Sequence, residues 1–246
     1  MAGIVSYGTY VPTYRLPRDL IAKEWGTPSQ GGERAIANFD EDSLTLAVNA
    51  SIDALGNRDP QTLSGVFFAS TTSPYREKQA AVTVATVLDA SPEVRTMDFT
   101  DTLRAGTSAL LTALDLVQSG KHILVCSGDS RMGEPDSPQE QNYGDAGGAI
   151  VVGTENVIAE VVGTYTISQE FLGTWRTEEQ DYLKSFPGAF ETKFGYNRFI
   201  AAAVQGVLKK CGLTAKELAN AAIAAPSQRT LQAVLRGLGL DAKSQV

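Results

Sequence analysis

The sequence predicts an α/β fold in which helices cover a central sheet. Apolar runs of strand length alternate with amphipathic stretches of helix length along the 246 residues, an order typical of α/β proteins. Runs such as VFFA and ILVC lack the polar–apolar alternation of a half-exposed strand, which indicates strands buried on both faces. A helix–strand unit that recurs late in the chain is the third observation, because repeats of one unit build larger layered folds.

The first 153 residues predict the order strand–helix–strand–helix–strand–helix–strand–strand. Helices are predicted where apolar residues recur every three or four positions, as Leu44, Ala47 and Ile52 do. Strands are predicted at 3–11, 65–70, 94–99, 122–127 and 148–153, and helices at 42–55, 78–88 and 104–117.

Beyond residue 153 the pattern is less regular. The stretch 168–196 is rich in aromatic and charged residues, and within it we expect a helix at 178–186 that ends at Pro187. The other elements predicted here are strands at 157–167 and 220–225 and helices at 197–211 and 228–238.

The segment 41–56, EDSLTLAVNASIDALG, resembles the segment 197–212, NRFIAAAVQGVLKKCG, and each precedes an apolar strand. Any two amphipathic helices before buried strands can match this well, so chance similarity stays an alternative. If the repeat is real, residues 1–153 form one half and residues 154–246 the start of a second. The second half then lacks its last helix and last three strands, so we expect it to be incomplete in this chain or completed by a partner.

The composition excludes several classes of function. Lys and Arg total 21 against 28 Asp and Glu, a net charge of −7, which argues against sequence-independent nucleic-acid binding and against docking on anionic lipid. Two Cys and one His cannot supply a Cys/His zinc site or a disulfide framework. No apolar run approaches the ~18–20 residues of a membrane span. From the missing span we expect a cytoplasmic protein, and from the few Cys and His residues we expect no bound metal.

Several motifs, in order along nearly the whole chain, resemble the hydroxymethylglutaryl-CoA synthase branch of the thiolase superfamily, especially its prokaryotic and archaeal type. They are GIVSYGTYVPTYRL, DEDSLTLAV, FFASTTSPYREKQAA, DFTDTLRAGTSALLTALDLVQSG, YGDAGGAIVVG and KFGYNRFIAAAVQGVLKKCGL. The resemblance implies a layered α/β/α fold of two βαβαβαββ halves and a coenzyme A thioester as ligand. It also implies a dimer through the third strand, here from Val94 to Phe99, and in some relatives a small partner with a zinc ribbon and an OB-fold.

The family's chemistry uses a Cys at the start of the third helix, a Glu after the second strand and a His in the second half. This chain places Leu103 at the Cys position, Thr71 at the Glu position and Ala224 at the His position. These side chains cannot act as thiolate, carboxylate or imidazole. The resemblance therefore implies that the family's covalent mechanism is absent.

Other residues near these positions are candidates for a pocket. Asp101 and Arg104 flank Leu103, Asp129 and Arg131 follow the strand HILVCS, and Ser227 follows Ala224. Each also has an ordinary structural explanation, such as a helix-start acid or a turn residue. For Cys126, Cys211 and His122 we expect packing or strand-edge roles.

Three hypotheses follow. The chain is a synthase-type enzyme acting on acyl-CoA thioesters, or a non-catalytic acyl-CoA-binding or scaffold subunit, or a non-covalent acyl-CoA enzyme that uses other residues such as Asp101 and Arg104.

Overall fold

The structure is a computed structural model that describes residues 1–177, 179–186 and 188–245. The chain divides into two compact units, Met1–Val161 and Val162–Val246. The boundary expected from the repeat, after residue 153, falls close to this division, and the duplication itself stays a prediction.

The first unit carries most of the predicted α/β order. Its elements are β1 (Gly3–Tyr10), β2 (Tyr14–Pro17), α1 (Arg18–Trp25), β3 (Glu33–Ile36), α2 (Ser43–Leu55), a short 3-10 helix (Pro60–Thr62), β4 (Leu63–Ala69), α3 (Ala80–Val87), β5 (Arg95–Phe99), α4 (Ala105–Leu116), β6 (His122–Asp129), α5 (Pro138–Asn142), β7 (Ala146–Gly153) and β8 (Ala159–Glu160).

A six-stranded sheet has the order β5-β4-β6-β7-β1-β8, and β2 pairs with β3 as a separate ribbon. Strand β4 pairs in parallel with both β5 and β6, whereas β7 runs antiparallel to β6 and β1. In the parallel part, Ala69 lies opposite both Phe99 and Ser127. The carboxyl ends of β5, β4 and β6 therefore meet at one edge of the sheet, which is called the carboxyl edge here.

Helices cover both faces of this sheet. Val66 and Phe68 of β4 pack with α2 and α3 in one apolar cluster, whereas Phe67 and Ala69 pack with α4 in another. Val66, Phe67 and Phe68 are all 0% exposed. The expectation that these apolar runs are strands buried on both faces is confirmed, since alternate side chains of a strand point to opposite faces.

Helix α2 lies unusually close to the sheet because glycines lie beneath it. A Cβ atom added at Gly8 would come within 2.2 Å of the Ala54 nitrogen, and one at Gly128 within 2.1 Å of the Ser43 carbonyl oxygen. A Cβ atom added at Gly147 would come within 2.2 Å of the Leu46 carbonyl oxygen. These three residues, on β1, β6 and β7, are called the glycine strip here, and only residues without a side chain fit at its positions.

The start of α2 is fixed by local chemistry. The Asp42 carboxylate accepts a hydrogen bond from the Thr45 backbone nitrogen at 2.8 Å, and the Thr45 hydroxyl accepts from the Asp42 nitrogen at 2.7 Å. This reciprocal pair is a capping box, which satisfies donors that the first turn leaves unpaired. The helix predicted at 42–55 is thereby confirmed.

The second unit departs further from the prediction. Its elements are β9 (Thr174–Trp175), β10 (Lys184–Ser185), α6 (Gly188–Phe190), a π-helical turn (Glu191–Tyr196), α7 (Asn197–Cys211), a 3-10 helix (Ala215–Glu217) and α8 (Gln228–Leu238). The helices predicted at 197–211 and 228–238 are confirmed as α7 and α8.

Three other predictions are wrong. Of the strand expected at 157–167, only the two residues of β8 pair with the sheet. No strand forms at 220–225 among the described residues, where the Ala221 nitrogen donates to the Gln245 carbonyl oxygen at 2.6 Å. Instead of a helix, the described residues of 178–186 form turns and β10, which pairs with β9. Glu178 and Pro187, the ends of that expected helix, lie outside the described residues.

None of the helices in the described parts of the chain is long and apolar enough to cross a membrane.

Candidate functional site

The carboxyl edge of the sheet brings together the segments that follow β4, β5 and β6. Thr71 follows β4, Asp101 and Leu103 follow β5, and Asp129 is the last residue of β6. The Ser70 nitrogen donates to the Phe99 carbonyl oxygen at 3.1 Å, which holds the first two segments side by side. In open α/β sheets this edge is where ligands bind, so we treat it as the candidate site.

Asp129 organises the polar part of this site. Its Oδ1 atom accepts hydrogen bonds from the Thr71 nitrogen at 2.8 Å and from the hydroxyls of Thr71 and Thr72 at 2.9 and 3.0 Å. The Ser70 hydroxyl lies 3.1 Å from the same atom and donates to the Gly128 carbonyl oxygen at 2.8 Å. Hydrogen bonds to an ionised acceptor are stronger than neutral ones. One carboxylate oxygen therefore fixes the whole turn after β4 against the end of β6.

Arg131 approaches the same turn from the other side. Its Nε and Nη2 atoms donate to the Thr71 Oγ1 atom at 3.0 and 2.6 Å, and its guanidinium carbon lies 5.9 Å from the centre of the Tyr143 ring. That distance allows a cation–π contact. Thr71, Asp129 and Arg131, three of the predicted pocket residues, thus form one connected cluster, which we call the Thr71 cluster.

Leu103 lies in the turn immediately before α4, and the residue is 63% exposed. Within this turn the Ala105 nitrogen donates to the Thr102 carbonyl oxygen at 3.0 Å, and Arg104 is the N-cap residue. Asp101 has a φ of 64°, a left-handed conformation that is unusual for a residue other than glycine. Leu103 therefore lies one residue before the N-cap of α4, next to the first turn of the helix, where unpaired backbone N–H groups favour negative charge.

Ala224 and Ser227 belong to the second unit. Ala224 is exposed, and its carbonyl oxygen accepts a hydrogen bond from the Tyr196 hydroxyl. Ser227 caps α8, since its hydroxyl accepts from the Thr230 nitrogen at 3.2 Å. The serine therefore has a structural role within its own unit.

Neither of the two cysteines belongs to the turn that holds Leu103. Cys126 is in the middle of β6 and 0% exposed, and burial raises the pKa of its thiol to about 12. Cys211 is the last residue of α7, and both cysteines are free. A thiol with so high a pKa carries almost no thiolate at neutral pH, so Cys126 is not a nucleophile. This agrees with the packing role expected for Cys126.

His122 begins β6, at the end of the strand opposite Asp129. Burial, and then the positive charge of Arg58, lower the pKa of its imidazole, while Glu155 raises it to a smaller extent. Its Nδ1 atom is buried and has no hydrogen-bond partner among the described residues. This placement agrees with the strand-edge role expected for His122.

Sequence reasoning missed Ser70, Thr72 and Tyr143, which complete the Thr71 cluster. Four successive hydroxyl residues, Ser70 to Ser73, follow the buried strand β4, and this unusual run was the available signal. An open pocket of about 340 Å³ also escaped prediction. Its lining is Thr13, Tyr14, Asn38, Asp40 and Glu41.

Within the described residues there is no group of three or more His, Cys, Asp or Glu side chains placed to hold a metal ion. No protein-family model matches the chain.

The sequence is nevertheless similar to those of several archaeal proteins. The chain is 30% identical over 254 residues to the hydroxymethylglutaryl-CoA synthase of Methanothermobacter thermautotrophicus, an alignment that covers 99% of this chain and 73% of that protein. The synthase of Methanopyrus kandleri is 31% identical over 250 residues, covering 97% of this chain and 71% of that protein. The chain belongs to the hydroxymethylglutaryl-CoA synthase family.

The fold agrees with this assignment. A hydroxymethylglutaryl-CoA synthase crystallised with CoA superimposes with a TM-score of 0.87 at 20% identity, over 96% of this chain. This chain spans 63% of the length of that synthase. The thiolase-like α/β fold class predicted from the sequence is confirmed.

Proposed function

We propose that this family member binds an acyl-CoA thioester at the carboxyl edge of its sheet and does not form a covalent acyl-enzyme. The observation that carries the proposal is the placement of Leu103 in the turn before α4. The resemblance assigns that position to the nucleophilic Cys, and a leucine side chain has no atom that can attack a thioester. A thioester can still be bound there, because binding needs no nucleophile.

The Thr71 cluster supports the same conclusion. Thr71 stands where the resemblance places a general acid/base Glu, and its hydroxyl both donates to Asp129 and accepts from Arg131. An alcohol held in this way does not exchange protons with a substrate at neutral pH. Loss of catalytic residues that act as a unit typically costs several orders of magnitude in rate.

Cys126 provides no substitute nucleophile at this edge. It is buried inside β6, and burial raises the pKa of its thiol to about 12. Two free cysteines are also the pattern of a reducing compartment, which supports our proposal of a cytoplasmic protein.

The resemblance also suggests how the protein assembles. Strand β5 is the edge strand of the sheet and is bonded to β4 on its other side. An open strand edge can pair with another chain. We therefore propose a dimer through this strand, the segment from Val94 to Phe99 through which the resemblance implies dimerisation. A small zinc-ribbon/OB-fold partner, as in some relatives, is a further proposal and would make the chain a scaffold or acyl-CoA-binding subunit.

The decisive experiment is calorimetric titration of the purified chain with acetyl-CoA and acetoacetyl-CoA, with release of free CoA followed by thiol titration on the same samples. We expect binding without release above the rate in buffer, and free CoA serves as the comparison ligand. Absence of binding would refute the proposal. Release at an enzymatic rate would instead favour the non-covalent enzyme, and Asp101→Ala and Arg104→Ala would then test the residues proposed for it.

A further inference from the structure

We propose that residues 11–38 form a lid at the carboxyl edge, which opens as one unit while the sheet stays folded and which a bound acyl-CoA thioester holds closed. The closing step rests on the proposed function, because it requires a thioester at that edge. The opening of the lid in the free protein requires no ligand. Only non-covalent contacts change in either step.

Both ends of this segment lie at the carboxyl edge. Tyr10, the last residue of β1, pairs with Gly147 of β7, and β7 begins opposite Asp129 of β6. The returning chain enters α2 at Ser43, whose hydroxyl donates to the Thr72 carbonyl oxygen at 2.7 Å in the turn after β4. The segment is therefore an excursion that leaves the sheet and rejoins it beside the candidate site.

The segment folds mainly on itself. Its strands β2 and β3 pair with each other, and the Arg18 nitrogen donates to the Gly32 carbonyl oxygen at 3.0 Å. Ile21 and Ala22 of α1 are buried. Within the described residues, however, neither of the two apolar clusters that cover the sheet includes a residue of 11–38. Segments with few contacts to the core are the ones that open locally in folded proteins.

Gln141, in α5, is the central contact between the segment and the rest of the first unit. The residue is only 5% exposed. Its Oε1 atom accepts from the Gln30 nitrogen at 3.0 Å, its Nε2 atom donates to the Pro28 carbonyl oxygen at 3.3 Å, and its carbonyl oxygen accepts from Arg18 Nε at 2.8 Å. One buried residue therefore holds the segment at three points.

Glu140 and Asp145 add further hydrogen bonds to the segment. The Glu140 Oε2 atom accepts from Trp25 Nε1 at 2.9 Å, and the Asp145 Oδ2 atom accepts from the Ala37 nitrogen at 2.8 Å. Glu140, Gln141 and Asp145 are called the latch here. Each hydrogen bond contributes little net free energy in water, so the latch can open without unfolding of the sheet.

A pocket at the base of the segment gives its two ends room to move. This open pocket of about 340 Å³ is lined by Thr13 and Tyr14 on the outgoing chain and by Asn38, Asp40 and Glu41 on the returning chain. Close-packed interiors resist movement, whereas two stretches of chain on either side of a pocket can shift without repacking the core. The pocket thereby marks the hinges of the lid.

The latch is also connected to the candidate site. The guanidinium carbon of Arg131 lies 5.9 Å from the centre of the Tyr143 ring, and the Tyr143 nitrogen donates to the Gln139 carbonyl oxygen at 2.9 Å at the end of α5. A Cβ atom added at Gly133 would come within 2.2 Å of the Glu140 nitrogen, so the chain between β6 and α5 packs directly against the latch. A thioester that restrains this chain favours the closed lid, because a ligand shifts an equilibrium towards the state that it binds better.

Hydrogen–deuterium exchange followed by mass spectrometry tests the lid in the unmodified protein. We expect the amides of α1 to exchange roughly a hundredfold faster than those of β4 and β6, because α1 opens with the lid while the sheet stays folded. Acetyl-CoA at a saturating concentration, set by calorimetry on the same protein, should slow the exchange of α1 roughly tenfold.

The variant Gln141→Ala tests whether the lid opens as one unit. It removes the side-chain bonds to Pro28 and Gln30, both outside α1. Exchange in α1 should nevertheless become roughly tenfold faster, because one opening exposes the whole lid. Asn142→Ala is the matched control, since it removes an amide side chain from the next, exposed position of α5. It should leave the exchange of α1 unchanged.

Three results would overturn the inference and leave the proposed function standing. In the free protein, α1 could exchange as slowly as β4 and β6, a comparison that requires no variant to fold. In a folded Gln141→Ala protein, faster exchange could be confined to residues 28–30. Acetyl-CoA could also bind by calorimetry without slowing the exchange of α1. Absence of binding, in contrast, would refute the proposed function and the closing step together, while the exchange of the free protein would still decide whether the lid opens.

Discussion

Replacing Asp129 with Asn should destabilise the first unit measurably, because one oxygen of this carboxylate holds the turn after β4. Three donors of Thr71 and Thr72 converge on Oδ1, and the Ser70 hydroxyl, which donates to the Gly128 carbonyl oxygen at 2.8 Å, lies 3.1 Å from it. A hydrogen bond to a charged group contributes about 1.5–3 kcal/mol, against about 1 kcal/mol for a neutral one. Asn keeps an oxygen of similar size, so the substitution removes the charge without leaving a cavity.

The magnitude follows from these bonds. If each of the three bonds from Thr71 and Thr72 lost about 0.5–1 kcal/mol independently, the sum would be about 1.5–3 kcal/mol. Bonds that share one acceptor are not additive, and Asp129 is only half-buried. We therefore expect the free energy of unfolding to fall by about 2 kcal/mol.

Urea denaturation can measure this change within the first unit. The chain has two tryptophans, Trp25 in the first unit and Trp175 in the second. In a Trp175→Phe background the fluorescence of Trp25 reports the first unit alone. Asp115→Asn, on an exposed position of α4, is the control and should change stability by less than about 0.5 kcal/mol. A change that small in Asp129→Asn would refute the account of Asp129 as the anchor of the site.

Three further predictions concern reactivity and pH. A Leu103→Cys protein should react with iodoacetamide faster than free glutathione does at pH 7, because the N-terminus of α4 stabilises a thiolate. Peptide mass spectrometry measures the rate of labelling. A reaction slower than that of glutathione would contradict the placement of residue 103 next to the N-terminus of α4. Cys126, buried and with its pKa raised to about 12, should stay unlabelled at pH 8 in the folded protein and become labelled in urea, while labelling of the native fold would show that β6 opens readily. His122 should make the first unit less stable as the pH falls below about 6.5. Its pKa is lowered in the folded protein, so the unfolded chain binds the proton more readily and gains relative stability as the pH falls. Denaturation series at several pH values with His122→Gln should show a smaller pH dependence, and an unchanged dependence would count against this assignment.

The sequence predicted those elements whose determinants are local. Helix α2 has both its apolar period and its capping box within 42–55, and β4 has an apolar run that the sheet buries on both faces. The expected strands at 157–167 and 220–225 failed because a strand needs a neighbour with free backbone groups. A β-forming composition does not reveal whether such a neighbour exists.

The site was predictable in part for the same reason. The sequence predicts Asp129 and Arg131 as pocket residues because they follow a strand, and it predicts Thr71 because of its position in a motif. Their direct contact depends on the parallel pairing of β4 with β6, which joins residues about 58 positions apart. No local pattern encodes that pairing, so the roles of Ser70 and Thr72 could not be inferred beforehand.

The glycine strip has a consequence for how this protein can evolve. Gly128 immediately precedes Asp129 in the chain, and its α-carbon faces the Ser43 carbonyl oxygen at the start of α2. The same Ser43 donates its hydroxyl to the Thr72 carbonyl oxygen at 2.7 Å. In a saturation mutagenesis screen, positions 8, 128 and 147 should therefore tolerate almost no replacement, although none of them offers a side chain to a ligand. Exposed Leu103 should accept many residues without loss of the fold, so new chemistry can arise at the helix start while the scaffold beneath α2 stays invariant.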